Sequence, residues 1–197
     1  MNFLAHAYLS FNQPDILVGN MISDFVKGRK KFDYSFAIQQ GIQLHRAIDA
    51  FTDVHAATHE AKKVFKPFVG LYAGAFVDVI YDHFLATDNT ELPDEKLQNF
   101  ATNTYQTLYL YNDVLPAKFA MMLPYMRSQN WLYNYKFNQG MANSFEGLTR
   151  RAKFLDNSKP AYNAFEKEYQ TLQSCYAVFF PDVKTFAHYQ LKELLST

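Results

Sequence analysis

The stretch Ser35-Phe36-Ala37-Ile38-Gln39-Gln40-Gly41-Ile42-Gln43-Leu44-His45-Arg46-Ala47-Ile48-Asp49-Ala50-Phe51 sets Ile38, Ile42, Ala47 or Ile48, and Phe51 at three- and four-residue steps. Side chains at that spacing share one side of an α-helix, so the segment predicts a helix with one buried face. Upstream, Asp15 follows Pro14 and can cap a helix through about Lys27, which Gly28 stops. Downstream, a helix is expected from about Thr58 to Phe65, ending at Pro67. A near-continuously apolar one from about Leu71 to Leu85 reads as central and buried on most sides. Further helices are expected at 94–112, 117–134, 137–153, 160–179 and 182–195. Leu92-Pro93, Leu115-Pro116, Lys159-Pro160 and Phe180-Pro181 punctuate them, because the residue before proline disfavours helix. Seven Gly and seven Pro are few for an all-β chain, and no long strict alternation occurs. The expectation is an all-α, single-domain helical bundle over residues 1–197.

Composition narrows the function classes. The 197 residues are 49% hydrophobic, enough for a continuous core. Nineteen Lys and Arg balance nineteen Asp and Glu, which argues against binding nucleic acid or an anionic membrane through bulk positive charge. Cys175 is the only cysteine, so an intramolecular disulfide and thiolate zinc sites are out, and it reads as a small buried hydrophobe. Met1 to Ser10 has no basic region ahead of its apolar residues, so no secretory signal is expected. The longest apolar stretch, Phe68 to Ile80, is interrupted by Asp78 and too short to span a bilayer; a cytoplasmic protein is expected. Fourteen Tyr and nineteen Phe point to an aromatic-packed helical core rather than a platform for stacking bases.

Polar residues inside the apolar helices carry the functional signal. In Val77-Asp78-Val79-Ile80-Tyr81-Asp82-His83-Phe84-Leu85, Asp78 and Asp82 are four apart and share a face, with His83 adjacent. Two carboxylates there repel each other and are costly to desolvate unless a cation joins them. His45 and Asp49 are also four apart, with Arg46 beside them; Asp24 lies in the first long helix and His6 in the apolar N-terminal segment. A divalent metal explains the gathering: imidazole with carboxylate suits manganese, iron or zinc, and magnesium if carboxylates dominate. Such a metal lowers the pKa of bound water for attack on a phosphoester, and Arg46 offers a planar fork to phosphate oxygens. Taken singly, the pieces have ordinary readings. His45 with Asp49 is a helix-surface pair, Arg46 with Asp49 an i,i+3 salt bridge, and Asp53 a cap. His55 and His59 are surface residues, His188 a surface or core residue, and His6 a satisfied core histidine as readily as a ligand.

Four stretches then combine in order. Met1-Asn2-Phe3-Leu4-Ala5-His6, Gly19-Asn20-Met21-Ile22-Ser23-Asp24-Phe25-Val26-Lys27-Gly28, Gly41 through Asp53, and Asp78 through Leu85 resemble acyl carrier protein phosphodiesterases. The resemblance is dense over residues 1–85 and general afterwards, with Trp131-Leu132 and Gly140-Met141-Ala142 also similar. It implies an HD-phosphohydrolase-like helical fold and a metal-dependent phosphodiesterase, usually associated with manganese. The reaction it implies removes 4′-phosphopantetheine from holo-acyl carrier protein and regenerates the apo form. By position, Asp24, His45, Asp82 and His83 match metal-site and catalytic motifs; His6, Arg46, Asp49 and Asp78 match further motif positions.

Lys27-Gly28-Arg29-Lys30-Lys31 places four basic residues within five positions directly after Asp24. Acyl carrier proteins are generally acidic, so this tract is a candidate partner-binding rim; Arg150-Arg151-Ala152-Lys153 is a weaker cluster of the same kind. Two other functions compete: an HD-type phosphohydrolase acting on a nucleotide or small phosphodiester, and a non-enzymatic helical binding protein for an acidic partner.

Overall fold

The computed structural model describes residues 1–196, and every regular element among them is helical. In order these are α1 (Phe3–Tyr8), α2 (Pro14–Ile22), α3 (Phe36–Val54), α4 (Ala56–Val69), α5 (Ala73–Thr87), α6 (Asp94–Leu110), α7 (Ala117–Ser128), α8 (Trp131–Asn134), α9 (Asn138–Arg151), α10 (Lys159–Lys167) and α11 (Tyr169–Leu195), with 3-10 turns at Ser23–Phe25, Gly28–Asp33, Gly70–Tyr72 and Asn112–Val114. One contiguous hydrophobic core joins side chains from Met1 to Leu191. The aromatic excess goes there: Phe65, Phe76, Phe84, Phe119, Phe145, Phe165, Phe179 and Phe180 are all buried. Phe76 meets Phe145 edge-on at 4.8 Å and Tyr81 stacks on Phe179 at 4.5 Å, geometries that suit the ring quadrupoles.

The α2–α3 crossing positions the site. A Cβ on Gly19 would stand 2.1 Å from the Ile38 carbonyl oxygen, and one on Gly41 would stand 2.4 Å from that of Ile16. Only hydrogens at these two positions let the helix backbones touch. Ser35 caps α3, its Oγ accepting from the Ile38 amide at 3.4 Å. The helix α1 packs on α2 and α5.

Several elements depart from the sequence expectation. The first long helix ends at Ile22 instead of about Lys27, because Ser23–Phe25 tightens into a 3-10 turn and Val26 is extended; Asp24 therefore leaves the helix. Gln13, not Asp15, takes its N-cap position, with Pro14 in the first turn. The helix expected to stop at Pro67 continues to Val69 and starts at Ala56, capped by His55 and not by Asp53. The expected 117–134 helix breaks at Asn130, which is left-handed at φ 44°. Residues 169–195 form one helix through Pro181, whose exposed ring costs a single backbone donor. The short α1 escaped because six residues offer no periodicity to read.

The run Ala56–Thr87 has the length and apolar composition of a membrane span. It is broken by Gly70 at φ 54°, and its Phe65, Phe76, Val77 and Ile80 are buried in the core.

Candidate active site

Three donors converge where α1 meets α3. The rings of His6 and His45 stack at 3.8 Å and 15°, and Asp49, one turn beyond His45, reaches both. Asp49 Oδ1 lies 3.2 Å from His6 Nε2, and Asp49 Oδ2 lies 3.1 Å from His45 Nε2. His6, His45 and Asp49 each offer a ligand atom, all within 4.8 Å of one another. Asp24, carried out of α2 by the 3-10 turn, places Oδ1 3.3 Å from His45 Nε2 and is largely exposed, so the cluster opens to solvent on that side.

Asn20, absent from the sequence-derived set, organises both histidines. Its carbonyl accepts from His45 Nδ1 at 2.7 Å, which fixes that ring with Nε2 facing the carboxylates. Its Nδ2 donates to the His6 carbonyl at 2.8 Å and to Ser10 Oγ at 3.1 Å. A ring nitrogen tied to a backbone carbonyl is how ligating imidazoles are commonly oriented. The signal was present: Asn20 is a polar residue in the apolar run Ile16–Ile22, next to a glycine.

Electrostatics split the two rings. Burial and the neighbouring His45 lower His6 to about 4, outweighing Asp49. Burial also opposes charge on His45, but Asp24 and Asp49 overcome it and raise the ring to about 9. Asp49 is desolvated, yet bonds to His45 and His6 and the Met1 amino group hold it well below the usual carboxylate range. The donor set fits a divalent cation. The proton on His45 Nε2 bridges Asp24 and Asp49, where a cation would satisfy all three groups. His6 Nδ1 is buried with no hydrogen-bond partner among the described residues.

The acids of α5 are placed differently, with α1 as their counterpart. The Met1 amino group lies 2.8 Å from Asp78 Oδ1 and 3.6 Å from Asp49 Oδ1; burial opposes its charge, but the two carboxylates hold it above its usual value. Asp82 accepts from the amides of Leu4 at 2.7 Å, Ala5 at 3.1 Å and Asn2 at 3.3 Å, closing the open N-terminus of α1. Burial pushes its carboxyl up to about 7 against the pull of those amides. His83 is 2% exposed and has its hydrogen bonds and ring contacts with residues other than those of the His45 cluster. Its Nδ1 donates to the Tyr135 carbonyl at 2.7 Å, its Nε2 accepts from the Tyr169 hydroxyl at 2.9 Å, and burial lowers its pKa. Asp24, His45, His6 and Asp49 thus come together, Asp78 borders them through Met1, and Asp82 and His83 stand outside the group.

Arg46 is exposed beside His45, its Nη2 donating to the Val26 carbonyl at 3.1 Å. Beyond Val26, Lys27, Arg29, Lys30 and Lys31 lie on or beside the 3-10 turn Gly28–Asp33, none of whose residues is buried. Of the residues given ordinary readings, His55 caps α4 and bonds Asp182 at 3.2 Å, and Asp53 pairs with Lys62 at 2.8 Å.

The profile described as acyl carrier protein phosphodiesterase matches residues 1–183. A Klebsiella pneumoniae (strain 342) protein named acyl carrier protein phosphodiesterase is 31% identical over 188 residues, 95% of this chain and 97% of that protein. One of the same name from Yersinia enterocolitica is 31% identical over 182 residues, 92% of this chain and 94% of its own length. No solved structure matches.

Proposed function

The chain belongs to the acyl carrier protein phosphodiesterase family, and from that premise we propose that His6, His45, Asp49 and Asp24 form the centre where it cleaves the phosphodiester between a carrier serine and 4′-phosphopantetheine. The products are apo-acyl carrier protein and 4′-phosphopantetheine. The observation that carries the assignment is the stacked His6–His45 pair with Asp49 bridging both rings, since it is a set of imidazole and carboxylate donors open to water.

His6 Nε2, His45 Nε2 and Asp49 would hold a divalent cation, manganese by the family resemblance and magnesium, iron or zinc by donor chemistry, with Asp24 on the solvent side. When bound, such an ion supplies positive charge to the phosphoryl oxygens and acidity to a water. The chain's own residues do the rest. Asp24, exposed on the solvent side 3.3 Å from His45, can take the proton of the attacking water. Arg46 has N–H groups beyond the one spent on Val26 and can bind a non-bridging phosphoryl oxygen. Asn20 holds His45 in the tautomer that keeps Nε2 toward the carboxylates. Asp82, by capping α1, and Asp78, by holding Met1, keep His6 at the cluster. The water oxygen bonds to phosphorus as the bond from phosphorus to the serine oxygen breaks, and the departing oxygen takes its proton from water at the solvent-open side of the cluster.

An HD-phosphohydrolase-like ancestry and a cytoplasmic setting belong to the same proposal. Zero net charge argues against binding nucleic acid or an anionic membrane through bulk positive charge, and neither is among the partners proposed. Purified protein incubated with holo-acyl carrier protein should shed the mass of 4′-phosphopantetheine with manganese present and not with chelator. Cleavage undiminished by exhaustive chelation would remove the metal from the reading. Cleavage of nucleotides with none of the carrier would move the substrate.

A further inference from the structure

A seryl phosphodiester stands within one side chain's length of the protein bearing it. Whatever surrounds the mouth of the His45 cluster must therefore touch that protein. The feature of this rim with no structural duty is the 3-10 turn Gly28–Asp33. No side chain of the turn is buried; Phe32 within it is 62% exposed, and Phe36 at the start of α3 is 64% exposed. Neither ring joins the core, and together at the edge of a basic tract the two offer an apolar contact to a partner.

Charge adds a second observation. The ion pairs of lysine and arginine lie elsewhere, at Lys62, Lys63, Lys136, Arg150 and Lys184. Lys27, Arg29, Lys30 and Lys31 have no carboxylate partner among the described residues; Lys31 sits over the Phe32 ring at 4.9 Å. In a chain of zero net charge, four uncompensated cations in five positions concentrate positive potential beside the site. The Arg46–Val26 bond ties the start of this segment to the helix that bears His45.

Resting on the function proposed above, we infer that Lys27, Arg29, Lys30 and Lys31 with Phe32 and Phe36 form the docking face for the carrier protein, and that it receives an acidic surface with an apolar patch next to the modified serine. The cations steer the encounter and the two rings hold it, so the elements should separate in kinetics.

The test compares two substrates, holo-acyl carrier protein and the small diester bis(p-nitrophenyl) phosphate, at low and high salt. The R29E/K30E/K31E variant should lose at least about tenfold in kcat/KM on the carrier, chiefly through KM, and flatten its salt dependence. F32S/F36S should lose about five- to tenfold with the salt dependence intact. Both should turn over the small diester within about twofold of the parent, because neither touches the cluster. Unchanged carrier kinetics in the charge-reversal variant would overturn the inference, as would an equal loss on both substrates. Binding of fluorescently labelled apo-carrier, read by anisotropy, separates this from the reaction itself. If the parent cleaves neither substrate, the proposed chemistry fails. The docking face then stands only if the parent binds the labelled carrier and R29E/K30E/K31E does not.

Discussion

Two helices carry the same sequence device and use it for different ends. In α3, His45 and Asp49 are four apart; in α5, Asp78 and Asp82 are four apart. The α3 pair faces Asp24 and the ring of His6, with donors left for a cation. The α5 pair is already answered, Asp78 by the Met1 amino group and Asp82 by three amides of α1. A four-residue spacing fixes that two groups share a face. It does not say what meets that face, and here a helix N-terminus supplies the positive charge that would otherwise call for a metal.

The sharpest way to break the contrast is to exchange its two histidines. His45→Gln should lower turnover of the carrier by about 10^4-fold and abolish manganese binding in calorimetry, with the helical signal retained. His83→Gln, which leaves the Tyr135 carbonyl and Tyr169 hydroxyl poorly matched, should cost about 1–3 kcal/mol in stability while keeping metal stoichiometry. The reverse pattern would put the metal in α5. Next in size is Gly41→Ala. A methyl 2.4 Å from the Ile16 carbonyl must force α2 and α3 apart, for a loss of about 3–5 kcal/mol in chemical denaturation. An unaltered midpoint would mean that α2 and α3 can separate at no cost. Smaller again, Asn20→Ala should weaken metal affinity about 10- to 100-fold by releasing the His6 backbone and the Ser10 hydroxyl, while Asn20→Ser recovers part of it. Loss of stability without loss of affinity would reduce Asn20 to a packing residue.

Much of the fold was legible because the helices of the core are long and patterned; Ile38, Ile42 and Ile48 are buried as their spacing demands. Helix ends were less so. Pro67 and Pro181 look like stops, yet each costs one donor and is carried by a helix packed along its length. At the site, His45 with Asp49 and Asp24 could be read from residue type and spacing, although Asp24 reaches the cluster only because its helix ends early. The roles of His6, Asp82 and Asn20 depend on where α1 lies. No pattern in residues 1–8 reveals that its N-terminus meets Asp82, some eighty residues away, and that contact decides which acids remain free.

The pH dependence of stability distinguishes the cluster's states without any turnover assay. In chelated protein His6 titrates below its unfolded value of about 6.5 and His45 above it. As pH falls from 6.5 toward 4, the unfolded state binds a proton that buried His6 refuses, so the contribution of His6 to stability drops. As pH rises from 6.5 toward 9, folded His45 keeps a proton the unfolded state has released, and the stability due to that proton is lost. On the acid side Asp82, whose carboxyl is pushed up to about 7, works against His6, so the alkaline limb is the readable one, with a slope of at most about 1.4 kcal/mol per pH unit. Between pH 6.5 and 8, below the range where the raised Met1 amino group adds its own slope, saturating manganese should flatten this limb, since the ion would replace the proton on His45 Nε2, and His45→Gln should flatten it without metal. The α5 side supplies the control, because His83, lowered by burial, acts only on the acid side, and His83→Gln leaves both stacked rings in place and should keep the alkaline limb. An alkaline limb that survives in His45→Gln would assign that titration to a different group and dissolve the contrast between the two helices.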